Sequence, residues 1–276
     1  MRFSRSVDFR AGPRCGDRLI IFVREAEGAV CVKLRRGKKQ RERETGYADV
    51  RGEWEMAGSP LPEEWGRLIR SVGQEVRWRP GELLMREGDT ADRVVLPQSG
   101  LAKVTSVSTT GFTSLFALRG PDELLGELSC VDGGPRSATA TAMGEVKGTA
   151  VPAPRFTALM EEHGGLALAV LRCVAERLRE SDVGRADLGA LPTVARTALV
   201  LARLSQSYGA PVAGDLAARR LVINQQELAG AVGASRESVV RVLRVLTDCR
   251  LVTVSRGQIV VRDPAVLLRW PGVESR

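Results

Sequence analysis

Asn224–Leu246, NQQELAGAVGASRESVVRVLRVL, reads as two helices joined by a tight turn. Asn224 is placed to cap the first helix, and Glu227 three residues later completes a capping box. Leu228, Ala231 and Val232 give that helix one apolar face. Gly233 supplies the left-handed residue that a helix stop requires. Ser235 then caps a second helix, in which Val239, Val242, Leu243 and Leu246 recur at helical spacing and face inward. Arg236, Glu237, Ser238 and Arg241 are left on the outer face, in the opening turns. In a helix-turn-helix this end of the second helix meets base edges in the major groove. Arginine pairs bidentately with guanine, and a carboxylate accepts from cytosine N4. A glutamate between two arginines is better suited to a base than to a phosphate, which would repel it. The competing expectation is a helical hairpin with a solvated, mixed-charge face.

Charge is distributed in keeping with that reading. The net charge is +8 over 276 residues. Residues 191–276 carry 12 basic and 6 acidic side chains, residues 61–190 carry 15 and 18, and residues 1–60 carry 14 and 9. The basic C-terminal segment suits a phosphate backbone, with affinity that falls as salt rises. The slightly acidic middle suits another task. Hydrophobic content of 43% and charged content of 27% indicate a globular chain long enough for two domains and an appendage. No apolar run approaches the roughly 18 residues of a membrane helix, and the expected location is the cytoplasm. The five cysteines are scattered without a CxxC pair, which argues for reduced thiols and against a zinc or iron–sulfur site. The single histidine, His163, is expected at a helix end; it argues against a Ser-His-Asp triad or a histidine-rich metal centre.

Upstream, residues 1–55 read as a basic extension. Leu19–Val23 and Ala29–Leu34 have the pattern of a hairpin, and the run KLRRGKKQRERE (33–44) follows. The expectation for this extension is disorder, or a true start near Met56, ahead of an arm that binds nucleic acid. From Leu61 the pattern changes to an amphipathic helix and then to short strands at Glu75–Trp78, Leu83–Met85, Arg93–Leu96, Leu101–Val107 and Thr113–Leu118, divided by Gly-rich turns. That spacing predicts a small antiparallel roll, with Pro97 ending a strand or lying at an edge. In LLGELSCVDGGPRSATA (124–140), Gly126 and Glu127 open a short helical turn with free amides. Arg136 and Ser137 could join those amides around a phosphate, and Glu127 could take a ribose hydroxyl. The alternative is a surface turn closed by a Glu127–Arg136 ion pair.

Strands at Thr139–Met143 and Val146–Val151 precede a helical region from about Pro154. Within it Ala167, Leu171, Val174, Leu178, Ser181, Arg185 and Leu188 form a heptad seam. Such a seam packs against its own domain or against a second copy of the chain. Gly189 and Pro192 mark a hinge, a helix runs from Thr193 to about Ser207, and Leu251–Val254 with Gln258–Val261 form a hairpin wing carrying Arg256.

GELSCVDGGPRSA resembles the phosphate-binding cassette of the cyclic AMP receptor protein (CRP)/FNR family, the strands before it resemble that family's β-roll, and INQQELAGAVGASRESVVRVLRVL resembles its helix-turn-helix. The resemblance runs from about Leu61 to about Val261. It implies an α+β chain: a cyclic-nucleotide-binding-like antiparallel β-roll over 56–160, a dimerisation helix and hinge over 161–190, and a winged helix-turn-helix over 191–276. It further implies cyclic AMP or a related cyclic nucleotide bound by Gly126, Glu127, Leu128, Arg136 and Ser137, with the base meeting the family's Thr-Ser pair. Gapless extension from Arg196 puts Ser181 and Asp182 at that pair, so one hydroxyl is kept and one donor becomes a charge. The same resemblance assigns base contacts to Arg236, Glu237 and Arg241 and backbone contacts to Gln226 and Ser235. Implied partners are a palindrome of TGTGA-like half-sites, a second copy of the chain and RNA polymerase, with no metal and no catalysis. Two rivals stand beside it. One is a vestigial or redox-responsive sensor acting through Cys130. The other is a nucleotide-regulated enzyme, for which no GxxxxGK[ST] motif or metal cluster is present.

Overall fold

The computed structural model describes residues 59–270, together with the backbone of three strands nearer the N-terminus. Those strands, β1 (Asp8–Ala11), β2 (Arg18–Glu25) and β3 (Gly28–Arg35), form an antiparallel sheet in chain order. The hairpin expected at Leu19–Val23 and Ala29–Leu34 is the β2–β3 pair, with Leu19 opposite Leu34. The basic run beyond Arg35 lies outside the described residues.

Helix α1 (Glu63–Val72) leads into β4 (Gln74–Trp78), β5 (Leu83–Met85), β6 (Arg93–Ser99), β7 (Ala102–Val107) and β8 (Thr113–Arg119). Helix α2 (Glu127–Asp132), β9 (Thr139–Ala142) and β10 (Val146–Pro152) complete the roll. Its two antiparallel sheets have the orders β4-β10-β6 and β5-β9-β7-β8. Strand β6 is sealed on both sides because side chains alternate along a strand. Val95 points into the core between the sheets. Val94 and Leu96 point into a second core made with α1 and with α3 (Ala153–Glu162) and α4 (Gly164–Ala190). Pro97 lies within β6, which is the outer strand of its sheet, beside a register shift at Lys147/Gly148. The edge placement matches the expectation; the strand continues through Pro97 because its backbone faces the outer side of β6, where its carbonyl accepts from the Asp122 amide at 2.8 Å, so the missing amide costs no bond to β10. His163 sits between α3 and α4, its ring tilted against Trp65 at 6.2 Å.

Helix α4 has 27 residues and is about 40 Å long. It carries two apolar stripes. Leu166, Ala169, Val170 and Cys173 are buried against the roll. The heptad seam is a different stripe, with Leu171 62% and Leu178 58% exposed. The helix runs through Gly189 and stops only at Leu191, which is extended (φ −107°, ψ 141°). The proline that follows disfavours helix there, so the hinge narrows to Leu191–Pro192.

Helix α5 (Thr193–Tyr208) precedes β11 (Ala210–Val212) and β12 (Asp215–Leu221), then α6 (Gln225–Val232), α7 (Arg236–Asp248), β13 (Val252–Ser255), β14 (Gln258–Val261) and α8 (Pro264–Leu268). Both expected caps are present. Asn224 Oδ1 accepts from the Glu227 amide at 2.9 Å, Glu227 accepts from the Asn224 amide at 2.9 Å, and Ser235 Oγ accepts from the Ser238 amide at 3.2 Å. Gly233 is left-handed at φ 65°, a conformation that costs a residue with a Cβ. The wing is β13–β14; β11 and β12 widen its sheet to four strands in the order β11-β12-β14-β13, an addition the sequence did not announce. Leu201, Leu228, Val239, Leu243, Leu246 and Trp270 form the core of this half, and Leu115 and Leu118 of β8 belong to the same cluster.

Replacing Asn224 by Ala should lower unfolding free energy by about 1 kcal/mol in urea titration, with Asn224→Ser near wild type. Equal stability of the alanine variant would remove the cap from the account.

Candidate functional site

Two groups of side chains deserve the name of site, one in the roll and one on α7. In the roll, Gly126 is left-handed at φ 83° and opens α2. A Cβ at this position would run into the Arg136 guanidinium, which donates to the Gly126 carbonyl at 2.8 Å. Arg136 is 3% exposed and donates through Nη2 to Asp92 Oδ1 at 2.9 Å and to the Arg93 carbonyl at 2.5 Å. Glu127 is 4% exposed and pairs with Nη1 of Arg177, whose Nη2 donates to the Leu124 carbonyl at 2.8 Å. The expected alternative, an ion pair between Glu127 and Arg136, is therefore absent. Each takes its partner from another element, because the α2 turn holds the Arg136 guanidinium against the Gly126 carbonyl and Asp92. The result is a fixed buried cation and a fixed buried carboxylate in one short segment.

Leu128 and Ser137 are exposed beside them. Ser181 lies one helical turn beyond Arg177 on α4 and is exposed; Asp182 is exposed and paired with Arg185 at 2.5 Å. Among the described residues no hydrogen bond joins Ser181 or Asp182 to the cassette. Arg177 and Asp92 were missed in the sequence. The available signal for Arg177 was its place four residues before Ser181, on the same helix face. Cys130 is half-buried in α2, and burial raises its thiol pKa, opposed by Arg136. A protonated thiol is a poor nucleophile, which counts against the redox reading. Among the described residues no group of three His, Cys, Asp or Glu side chains could hold a metal ion.

On α7 the burial of Val239, Val242, Leu243 and Leu246 turns the opposite face outward. Arg236, Glu237 and Arg241 line a shallow groove together with Val240 and Arg244, two residues the sequence reading passed over. Arg241 donates to Ser238 Oγ at 3.2 Å, and Ser238 is also bonded to Ser235 Oγ at 3.0 Å, so the cap and the reading face are joined. Gln226 is exposed in the first turn of α6. Arg256 is exposed at the tip of the wing.

A β-roll with a buried arginine and a buried glutamate is followed in this chain by a winged helix-turn-helix with an exposed Arg-Glu-Arg face. Residues 75–163 match the cyclic nucleotide-binding domain and residues 195–270 match the Crp-like helix-turn-helix domain. The cyclic AMP receptor protein of Thermus thermophilus is 32% identical over 217 residues, 77% of this chain and 96% of its own. The CRP-like cAMP-activated global transcriptional regulator of Mycobacterium tuberculosis is 29% identical over 196 residues, 71% of this chain and 87% of its own. The structure of FixK2 from Bradyrhizobium japonicum, 20% identical, shares the fold with a TM-score of 0.61, covering 72% of this chain and 96% of that one. The chain belongs to the CRP/FNR family of transcription regulators.

Arg177→Met would leave the Glu127 carboxylate buried and unpaired. The expected loss is about 3–5 kcal/mol in urea unfolding, with Arg177→Lys recovering part of it. A loss below about 1 kcal/mol would mean that Glu127 does not depend on this partner.

Proposed function

We propose that this chain is a homodimeric, sequence-specific transcription regulator whose affinity for DNA is set by cyclic AMP or a related cyclic nucleotide. Its working parts are a sensor over 56–160, a dimer helix over 161–190 and a reader over 191–276; residues 1–55 are an appendage to them. The observation that carries the reading is the shared exposure of Arg236, Glu237 and Arg241 on a capped helix whose other face is core. Arg236 and Arg241 would donate to guanines, Glu237 would accept from a cytosine, and Gln226, Ser235, Ser238 and Arg256 would approach or orient toward the backbone. The preferred site is a palindrome of TGTGA-like half-sites about one helical turn (~34 Å) apart, read by two recognition helices. The exposed Leu171–Leu178 seam supports the dimer that this symmetry needs. RNA polymerase is the further partner, and the cytoplasm the compartment. No catalytic role is assigned to any residue.

The cassette fits a cyclic nucleotide. Arg136 and Ser137, with the amides at Gly126–Leu128, would hold its phosphate, and Glu127 would accept from a ribose hydroxyl. Arg177 Nε is buried without a hydrogen-bond partner, a donor to spare beside Glu127. The base would lie toward Ser181 and Asp182 on α4. Two relatives that cover most of this chain are described as a cyclic AMP receptor and a cAMP-activated regulator, which supports the same class of ligand. One observation favours a second reading, in which the sensor is differently liganded or independent of ligand: Glu127 and Arg136 already have protein partners in Arg177 and Asp92.

Selection from a randomised duplex library tests the reader. Wild-type protein should enrich the palindrome. Arg241→Ala should weaken binding by roughly 1–3 kcal/mol and relax one base position in each half-site. An unaltered base preference in the variant would withdraw the role given to Arg241.

A further inference from the structure

The helix-turn-helix is joined to the sensor by more than the Leu191–Pro192 connection. Helix α6 is held at three points along its length. At its N-terminal end, Lys103 of β7 pairs with Glu227 Oε1 at 2.5 Å, the two side chains 29% and 18% exposed. The other oxygen of the same carboxylate accepts from the Asn224 amide at 2.9 Å. One group thus closes the helix cap and grips the sensor. At its middle, Gly230 is buried on β8, where an added Cβ would come to 2.5 Å from the Thr113 carbonyl oxygen and 2.9 Å from the Leu115 amide. Backbone rides on backbone at this point, and Leu115 and Leu118 of β8 continue the core around Leu228, Ala229 and Val232. At its C-terminal end, Arg196 donates to the Val232 carbonyl at 3.3 Å and to the Leu191 carbonyl at 2.7 Å, and a Cβ on Gly233 would meet Leu188 Cδ2 of α4 at 2.7 Å.

A fourth contact lies to one side. Tyr208 of α5 donates to Glu123 at 3.3 Å, and Glu123 also accepts from the Gly120 amide at 2.6 Å. Burial, and after it the Glu123 charge, push the Tyr208 phenol pKa up, which keeps the phenol a donor.

We infer that the β7–β8 hairpin is the seat that sets the direction of the recognition helix, with Lys103 a positioning residue that acts through Glu227 and Gly230 the small residue that lets α6 sit down. Helices α6 and α7 share one core and a turn of three residues, so they move as a body. A displacement of the hairpin is then a displacement of Arg236, Glu237 and Arg241. Neither Lys103 nor Gly230 faces the groove on α7, so any effect they have on DNA reaches it through orientation. The inference rests on the DNA-reading proposal for its consequence, and its structural half can be measured separately.

The test is scanning calorimetry of the full chain, combined with binding to the duplex that wild-type protein selects, for wild type, Lys103→Met, Lys103→Arg and Gly230→Ala. Wild type and Lys103→Arg should show sensor and reader melting in one cooperative transition. Lys103→Met and Gly230→Ala should resolve two transitions, and DNA affinity should change by about fivefold or more with base preference unaltered. Lys103→Met removes the pair with Glu227 but leaves the backbone contact of α6 with β8 in place, so it serves even if Gly230→Ala fails to fold. A single transition that merely moves to lower temperature assigns these residues to ordinary stability and overturns the inference. Two transitions with unaltered DNA affinity overturn it as well. If wild type selects no sequence, the DNA-reading proposal fails, and the split of the transition alone decides whether the seat exists.

Discussion

Glu127 is a carboxylate with almost no exposed surface, and the cation that neutralises it comes from Arg177, fifty residues further along the chain. A buried charge without a partner is costly enough to reshape or unfold its surroundings. The short helix α2 and the long helix α4 are therefore obliged to meet at this point. Arg136 imposes the same condition on the start of β6 through Asp92 and the Arg93 carbonyl. The cassette is a junction of charges, and its carboxylate is tied to α4 through Arg177.

From that junction a continuous line of contacts leads to the reader. Strand β6 is packed on both faces, so the roll resists deformation. Helix α4 leaves the roll with its inner stripe buried and its outer leucines exposed, and its last turn touches the turn between α6 and α7 through Leu188. On the other side, β7 and β8 touch the beginning and middle of α6. The helix-turn-helix is thus bracketed between the end of α4 and the β7–β8 hairpin. That arrangement is what a two-state coupling between ligand and DNA would need.

Much of this was legible in the sequence because it is local. Caps at Asn224 and Ser235, the stop at Gly233 and the spacing of Val239, Val242, Leu243 and Leu246 are decided within one or two helical turns. The heptad seam was legible for the same reason; that it is a different stripe from the one packing on the roll required both stripes to be compared in space. What escaped notice was long-range. Nothing in the spacing of Glu127 and Arg136 tells that each takes a partner from elsewhere, Arg177 and Asp92. Leu115 and Leu118 read as sensor residues by their strand, yet their side chains complete the reader's core. Gly230 carries no local signal of its role, although its missing side chain is the condition for contact with β8. Strands β11 and β12 were missed because PVAGDLAARRL has little alternation of apolar and polar residues, and partners in the sheet supply the order instead.

The most direct test of the central claim, a nucleotide-set DNA reader, is fluorescence anisotropy of a labelled duplex carrying the TGTGA palindrome. Protein is titrated at fixed salt with and without cyclic AMP, against a scrambled duplex. The account predicts tight, sequence-dependent binding that strengthens when cyclic AMP is added. Sequence-dependent binding that is identical in both conditions would contradict the role given to cyclic AMP in the cassette. Equal binding to the palindrome and the scrambled duplex would contradict the reading of Arg236, Glu237 and Arg241.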